Sequence, residues 1–323
     1  MADSMSIAPE DAIQRHLVDP SVLAVLPDVR GILNIRHLPP SRWAKTSRIQ
    51  VRQTDGSEES YFLKVSVGYP GREALKGEFE ATSAIHAITP DFCPNPIAWG
   101  SLRNESNAYF YVCKYYHFSA DLPEPGPFCE KLARLHKSHT SPGGRFGFHC
   151  TTYNGDLPQD NTWSNTWEAF FANGLRHVLN VREERAGGPS AELDVLLPAL
   201  FERVIPRLLR PMESSGRKIQ PSLVHGDLWF GNSGVEQNTG QAVVFDPAGF
   251  FAHNECGYFE SYLLHMKPSE PKEDFDDRNA LYALRFNLHA ATLFPNKEEF
   301  LQLAIDEIRR LTEKFPDGYS GDE

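Results

Sequence analysis

Two carboxylates and one amide stand at short intervals in the middle of the chain, beside apolar runs typical of strands. Asp227 lies just after Leu223-Val224, Asn232 comes five positions later, and Asp246 ends the run 242–245. Carboxylate and amide oxygens are the ligands that Mg²⁺ prefers, and a positioned carboxylate can orient a hydroxyl for attack. The pattern indicates metal-assisted phosphoryl transfer, with Asp227 beside the acceptor and Asn232 and Asp246 on the metal. Asp and Asn also favour turns, so this spacing alone would fit a structural role equally well.

The residues around Asp227 favour the chemical interpretation. His225 and Gly226 precede it, and the spacing to Asn232 matches the H-R-D-x-x-x-x-N catalytic loop of kinases, with Gly226 in place of the arginine. Trp229 lies inside the loop, where a flat aromatic ring could stack on an acceptor sugar or on its amine-bearing arm. The alternative is a buried Trp229 that anchors the loop, because tryptophan is mostly buried in proteins.

The surrounding patterns predict the elements that hold this centre. Hydrophobic periodicity and turn residues indicate a helix at 9–24, a hairpin at 48–52 and 61–65, a helix at 73–88 and an aromatic strand at 107–115. Beyond the proline-rich segment 122–127, helices are predicted at 128–139, 163–179, 191–209, 277–293 and 297–315. The order predicts an α+β protein of two lobes, a small sheet-containing lobe at 1–116 and a larger, mainly helical lobe at 117–323.

Several longer motifs closely resemble the fructosamine kinase family, also called ketosamine-3-kinases or protein-ribulosamine 3-kinases, which are relatives of the aminoglycoside phosphotransferases. The motifs are HGDLWxGN at 225–232, VFDPA at 244–248, FxAHxE at 250–255, FGF at 146–148, LPQDNxW at 157–163 with Trp167 and Phe170-Phe171, KLARLH at 131–136, and EDFDDRxxxYxLRF at 273–286. The resemblance runs from about residue 40 to the C-terminus. It implies a bilobal, protein-kinase-like fold of the aminoglycoside phosphotransferase type.

The resemblance also implies an activity and its participants. The family transfers the γ-phosphate of ATP, with Mg²⁺, to the 3-hydroxyl of a ribulosamine or fructosamine, which points to protein deglycation. The expected substrates are glycated proteins or free ketosamines. Two alternatives remain open at this point. One is a kinase of another small molecule, such as an aminoglycoside or choline, and the other is an inactive nucleotide-binding protein.

Site roles follow from the resemblance position by position. Lys64 matches the strand lysine that contacts the α- and β-phosphates, and Glu78 matches the helix glutamate that pairs with it. Without this context, each would be interpreted as an ordinary exposed charge. The segment Cys113-Lys114-Tyr115-Tyr116 is expected to present backbone groups to adenine. His253 and Glu255 are expected to shape the substrate pocket or, alternatively, to brace the loop after Asp246.

Two segments depart from the family pattern. The loop expected to cover the phosphates, 39–47, contains no glycine, so Ser41, Thr46 and Ser47 are expected to donate hydroxyls in its place. After Glu255 the chain runs almost directly to Pro268, and this stretch is shorter than in relatives.

Composition bounds the remaining properties. The chain has 323 residues, 41% of them hydrophobic, with a formal net charge of −11, which disfavours nucleic acid as a partner. Five scattered cysteines show no metal or disulfide spacing, and no run is long and apolar enough to predict a signal peptide or a membrane span. These features predict a cytoplasmic protein that binds no membrane. They carry no information on oligomeric state.

Overall fold

A computed structural model describes residues 18–321, except 40, 139, 189 and 256–259. Most of the predicted helix 9–24 therefore lies outside the described residues, and only Pro20–Leu23 (α1) is seen as helix. The beginning of the short stretch after Glu255 also lies outside them.

The structure divides into two compact units. The N-terminal unit comprises residues 1–123 and 229–247, and the C-terminal unit comprises 124–228 and 248–323. This division differs from the sequence-based boundary at 116/117, because residues 229–247 belong to the N-terminal unit. Backbone hydrogen bonds account for the difference: Ser119 N donates to Val235 O (2.9 Å), and Val244 N donates to Phe92 O (2.8 Å).

The N-terminal unit is built on one antiparallel sheet of five strands in the order β1-β2-β3-β5-β4. Its elements are β1 (Val29–His37), β2 (Lys45–Gln53), β3 (Glu58–Val67), α2 (Gly68–Ile88), β4 (Pro96–Ser101) and β5 (Ala108–Lys114), followed later by β9 (Ser233–Val235) and β10 (Ala242–Val244). The predicted hairpin and the predicted helix that follows it fall within these elements, and the predicted strand 107–115 extends one residue beyond β5 at each end. Strands β1 and β4 are additions to the sequence-based prediction.

Alternation along the strands gives the sheet two apolar faces. On one face, Ile49 and Val51 of β2 are fully buried in a cluster that includes Val22 of α1. On the other face, Tyr111 of β5 packs with Leu75 of α2. Burying each such side chain contributes about 1.5–3 kcal/mol. The sheet is thus packed on both faces, and successive side chains along a strand point alternately toward α1 and toward α2.

The C-terminal unit is mainly helical. Its helices are α3 (Pro125–His136), α4 (Trp167–Ala186), α5 (Ala191–Ala199), α6 (Ile205–Leu209), α7 (Phe275–Leu293) and α8 (Glu298–Lys314), with short strands β6 (Tyr153–Asn154), β7 (Leu157–Pro158), β8 (Ser222–Val224) and β11 (Phe250–Ala252). One π-helical turn, Leu200–Val204, joins α5 to α6, so the predicted helix 191–209 is one nearly continuous element. Trp167 is buried at the start of α4, where its Nε1 donates to the Tyr282 hydroxyl of α7 (2.9 Å).

Strands β8 and β11 place the beginning of the segment 225–232, up to Leu228, within the C-terminal unit. They pair antiparallel, with Val224 opposite Phe250. The chain leaves β8 through His225 and Gly226, and Ala248 N donates to His225 O (2.9 Å) before β11 begins. The start of the loop is therefore hydrogen-bonded to the segment that follows Asp246 in sequence.

Candidate active site

Lys64 lies at the centre of a buried ion cluster in the N-terminal unit. Its Nζ is 2.8 Å from both carboxylate oxygens of Glu78 and 2.9 Å from Asp246 Oδ1. The side chains of Lys64 and Glu78 are 11% and 14% exposed, and that of Asp246 is 46% exposed. Three residues widely separated in sequence, and all predicted as site residues, are thus in direct contact.

Strand alternation explains why Lys64 reaches Glu78. On β3, Phe62 and Lys64 share the face that α2 covers, while Leu63 packs with the opposite cluster. Glu78 and Thr82 lie one turn apart on α2, so their side chains lie on the same side of that helix. The Lys64 side chain therefore points to α2, because Lys64 lies on the face of the sheet that α2 covers.

Electrostatics keep Lys64 charged despite its burial. Burial by itself lowers the pKa of a lysine, but the carboxylates of Asp246 and Glu78 outweigh it and raise the pKa of Lys64 above its usual value. Burial, together with the charge of Asp246, raises the pKa of Glu78, and Lys64 opposes that rise. Lys64 is accordingly a permanent cation at one end of the site, suited to contact phosphate oxygens.

Asn232 and Asp246 are brought together at the open end of the β9–β10 hairpin. Asn232 directly precedes β9, Asp246 follows β10, and Phe245 N donates to Asn232 O (3.0 Å). Asp246 adopts φ +54°, a left-handed conformation that asparagine and aspartate tolerate better than other side chains. Asn232 is 7% exposed.

The donor set at this end of the hairpin fits Mg²⁺. One carboxylate and one amide supply hard oxygen ligands from neighbouring backbone positions. Nowhere in the described ranges do His, Cys, Asp and Glu gather in a group of three or more suited to a metal ion. Two protein ligands complemented by phosphate oxygens is the usual arrangement for Mg²⁺ in phosphotransferases.

A mostly apolar cavity of about 260 Å³ adjoins the ion cluster within the N-terminal unit. It is lined by Leu38, Phe62, Glu78, Thr82, Pro94, Tyr111, Cys113, Lys114, Tyr115, Tyr116, Phe118, Phe245 and Asp246. A flat aromatic base fits such a lining, because apolar walls with a few polar groups are typical of small-molecule sites. The aromatic contributions of Phe118 and Phe245, whose rings lie 5.0 Å apart, were not predicted from the sequence.

The segment after β5 lines this cavity and is hydrogen-bonded to neighbouring backbone. Lys114 N donates to Asn95 O and Tyr115 N donates to Ser60 O, both at 2.9 Å. Among the described residues, no acceptor bonds the backbone N–H of Tyr116. The Lys114 side chain points to Glu59, with its Nζ 3.5 Å from the carboxylate. Lys114, Tyr115 and Tyr116 all line the cavity, and contact of this segment with adenine stays a prediction.

The glycine-free loop uses its hydroxyls internally. Ser41 Oγ donates to Ala44 O (3.1 Å) and accepts from the backbone N–H of Ala44 (2.9 Å) and Trp43 (3.2 Å). Thr46, which lies opposite Lys64 in the sheet, donates to Pro39 O (3.2 Å). These contacts fix a compact turn where other kinases have flexible glycines.

Ser47 does not join the ion cluster. It lies opposite Leu63, on the face of the sheet away from Lys64, and its Oγ is 3.0 Å from His37 Nδ1. Because side chains alternate along a strand, Thr46 and not Ser47 lies on the same face of the sheet as Lys64. The hydroxyl closest to the lysine in register is therefore that of Thr46.

Asp227 belongs to the C-terminal unit, and its side chain is partly exposed. Its backbone N lies 3.4 Å from His225 Nδ1. Gly226 before it has φ +79°, and a Cβ there would lie 2.0 Å from Ala248 O. Both the conformation and the close approach exclude a larger residue, which explains the glycine at the position where other kinases have arginine.

Trp229 is about half exposed rather than a buried anchor. Its indole covers Gly231, where a Cβ would lie 2.4 Å from the ring, and Phe230 packs edge-on at 4.8 Å. The exposed fractions are 51% for Trp229 and 72% for Phe230. Two aromatic side chains are thus presented on a tight 3₁₀ turn that ends at Asn232.

His253 and Glu255 lie in the interior of the C-terminal unit. His253 contacts the hydroxyls of Tyr282 (2.9 Å) and Ser269 (2.8 Å), and Glu255 accepts from Arg278 Nε (2.9 Å). Their exposed fractions are 0% and 2%. Burial lowers the pKa of His253 to about 4, so its ring is neutral at physiological pH. These contacts favour the bracing alternative over direct contact with a substrate.

Solved structures with a similar fold define the class of the protein. A putative fructosamine-3-kinase from Thermobifida fusca aligns with a TM-score of 0.70 and 20% identity over 92% of this chain and 98% of that one. The aminoglycoside phosphotransferase APH(4)-Ia aligns with a TM-score of 0.56 and 13% identity, covering 94% and 98%. The chain therefore has the α+β, protein-kinase-like fold of the aminoglycoside phosphotransferase type.

Sequence relatives narrow the class to one family. The family described as "Fructosamine kinase" matches residues 44–314, and the chain belongs to it. The rice "Protein-ribulosamine 3-kinase, chloroplastic" is 30% identical over 276 residues, covering 81% of this chain and 76% of the relative. The mouse "Ketosamine-3-kinase" is 32% identical over 151 residues, covering 43% and 46%. The protein is thus a kinase-family enzyme.

No helix of the described residues combines the length and the apolar character that crossing a membrane requires. The cytoplasmic location stays a prediction.

Proposed function

We propose that this protein is an ATP-dependent ketosamine 3-kinase that phosphorylates ribulosamine and fructosamine adducts, including those on the lysines of glycated proteins. The observation that carries the proposal is the contact of Lys64 with Glu78 and Asp246 beside an apolar cavity. Family membership supplies the class of acceptor, since its relatives are named for ribulosamine and ketosamine substrates.

The N-terminal unit would bind the nucleotide. Adenine would occupy the apolar cavity and accept a hydrogen bond from the Tyr116 backbone N–H. Lys64, held by Glu78, would contact the phosphates as a fixed cation. Asn232 and Asp246 would hold Mg²⁺, which when bound neutralises charge on the phosphate oxygens.

The transfer itself needs one proton acceptor. The sugar 3-hydroxyl forms a new bond to the γ-phosphorus while the bond from that phosphorus to the β,γ-bridging oxygen breaks, giving ADP and the 3-phosphate. The hydroxyl proton goes to the Asp227 carboxylate, which also orients the hydroxyl. The exposed ring of Trp229 would stack on the sugar or on its amine-bearing arm. The resulting 3-phosphate is labile, so the reaction would lead to deglycation.

A panel of acceptors tests the proposal. Purified protein with MgATP is assayed for ADP release with ribulosamine and fructosamine, each free and protein-linked, and with an aminoglycoside and choline. We expect turnover with ketosamines and loss of that turnover in Asp227→Asn. Turnover only with the other acceptors would replace the proposed substrate class. No ADP release with any acceptor, together with a rise in melting temperature on adding MgATP, would indicate an inactive nucleotide-binding protein, and no rise would refute nucleotide binding as well.

A further inference from the structure

A buried amide network lies beneath the catalytic-loop segment of the C-terminal unit. Gln159, just after β7, donates from Nε2 to Ala248 O (2.9 Å) and to Thr152 Oγ1 (3.0 Å). Thr152 in turn donates to the carbonyls of Ala248 and Gly249, both at 3.3 Å. Gln159 and Thr152 are 8% and 0% exposed. The carbonyl of Ala248 is therefore held by two buried side chains.

Arg285 of α7 connects this network to the loop itself. Its guanidinium donates to Gly226 O (3.2 Å) and to Gln159 Oε1, and it lies over the Phe250 ring at 4.9 Å. A guanidinium only donates, so this contact fixes the orientation of the Gln159 amide and leaves Nε2 to face Ala248. Arg285 is 8% exposed. One buried cation thus sets the direction of the hydrogen bonds on both backbone segments.

The two backbone segments held in this way contact each other. Ala248 N donates to His225 O (2.9 Å), and Gly226 lies so close to Ala248 O that a Cβ would be 2.0 Å away. A displacement of either segment would therefore displace the other. Gly226 O, which Arg285 holds, belongs to the peptide that leads directly into Asp227.

We propose that Gln159 and Arg285 are positioning residues that fix the Gly226–Asp227 peptide, and with it the Asp227 carboxylate, for phosphoryl transfer. This inference rests on the proposed function, in which Asp227 orients the acceptor hydroxyl. It also assigns a role to the Pro-Gln-Asp-Asn run at 158–161, which the sequence analysis singled out without a chemical purpose. Neither residue needs to touch the substrate, because each acts through the backbone that carries Asp227.

Gln159→Leu and Arg285→Met remove the two contacts, and His289→Gln is the matched control. His289 lies one turn after Arg285 on α7, is equally buried at 8% exposure, and bonds Asn154 rather than the loop. We expect kcat to fall about 10- to 100-fold in the two test variants, because a misplacement of about 1 Å can cost that much. Their KM for ATP should stay within about two-fold, since the nucleotide cavity is lined by the N-terminal unit. Arg285→Lys should restore part of kcat by returning one donor.

Hydrogen–deuterium exchange provides a readout that does not depend on the acceptor. The amides of Asp227 and Ala248 should exchange faster in Gln159→Leu and Arg285→Met than in the wild type and in His289→Gln. Unchanged exchange at both amides, or an equal loss of kcat in His289→Gln, would overturn the inference. A wild-type protein that phosphorylates no ketosamine would instead refute the proposed function, and the exchange rates would still decide whether the two residues hold the loop.

Discussion

Replacing Lys64 by methionine should destabilise the protein to an extent that depends on pH. In the wild type, Lys64 Nζ lies within 2.9 Å of carboxylate oxygens of both Glu78 and Asp246. Methionine has a similar length and no charge, so the variant leaves two carboxylates close together without their shared cation. Glu78, at 14% side-chain exposure, cannot recover the lost interaction from water.

The expected magnitude follows from the burial of each partner. Removing one member of a buried ion pair costs about 3–5 kcal/mol. Asp246 is 46% exposed, so solvent screens much of its interaction with Lys64. Most of the lost free energy therefore comes from the interaction of Lys64 with Glu78. Protonation of Glu78 in the variant limits the loss of stability further, because it removes the unpaired buried charge, and each unit by which the pKa rises is equivalent to about 1.4 kcal/mol. We therefore expect Lys64→Met to lower the free energy of unfolding by about 2–3 kcal/mol at pH 8.

The pH dependence has a definite sign. Burial already raises the pKa of Glu78 above its ordinary value of 4.5, and removing Lys64, which opposes that rise, raises it further. Between the ordinary and the raised pKa, the folded state binds more protons than the unfolded state. Stability must therefore fall as pH rises through that window, by up to about 1.4 kcal/mol per pH unit. The destabilisation by Lys64→Met should accordingly be smaller at pH 6 than at pH 8.

Urea unfolding at pH 6 and pH 8 measures this effect. Arg52→Met is the control, because Arg52 and Glu58 form an exposed ion pair at 3.5 Å in the same sheet, worth about 0–1 kcal/mol. Adding Glu78→Gln to Lys64→Met should restore stability at pH 8 and remove the pH dependence. An equal loss of stability at both pH values, or no recovery in the double variant, would refute the reasoning.

Three further predictions concern other parts of the site. Asp246→Asn should lower kcat about 100-fold or more and shift activity to higher Mg²⁺ concentration in a MgCl₂ titration, whereas an unaltered titration would exclude Asp246 as a ligand. Gly226→Ala should lower the free energy of unfolding by roughly 2–3 kcal/mol, because its Cβ would meet Ala248 O. Gly240→Ala, at φ +68° in open space, should cost only about 1 kcal/mol, and equal losses would contradict the steric argument. Trp229→Leu should raise KM for the ketosamine about 5- to 30-fold and leave KM for ATP unchanged in steady-state assays, and the reverse pattern would place the ring at the nucleotide.

Local patterns predicted most of the elements and part of the site. Lys64 and Glu78 were assigned through the resemblance to the family, because without it each would be interpreted as an ordinary exposed charge. The sequence named Ser41, Thr46 and Ser47 together, because the register between β2 and β3 decides which hydroxyl lies beside Lys64. Register depends on pairing between strands, which a single strand does not encode.

Contacts between distant parts of the chain were beyond the reach of spacing arguments. Gln159 and Arg285 could be noticed as motif residues, but their contact depends on how α7 packs, 126 positions further along the chain. The burial of His253 and Glu255 likewise depends on partners such as Arg278 and Ser269, which sequence proximity does not indicate. The motifs therefore located these four residues but did not show whether each contacts the substrate or stabilises the surrounding structure.

The assignment of residues 229–247 to the N-terminal unit has a consequence for how the protein is made. Phe245 and Asp246, which line the proposed nucleotide cavity, are synthesised long after the five-stranded sheet beside them. On the ribosome, that cavity stays without one wall until residue 247 has emerged, and a fragment ending at 123 would lack it permanently. Nucleotide binding would accordingly require a chain that extends at least to residue 247, because the N-terminal sheet alone is insufficient, and ATP present during translation could stabilise only chains of at least that length.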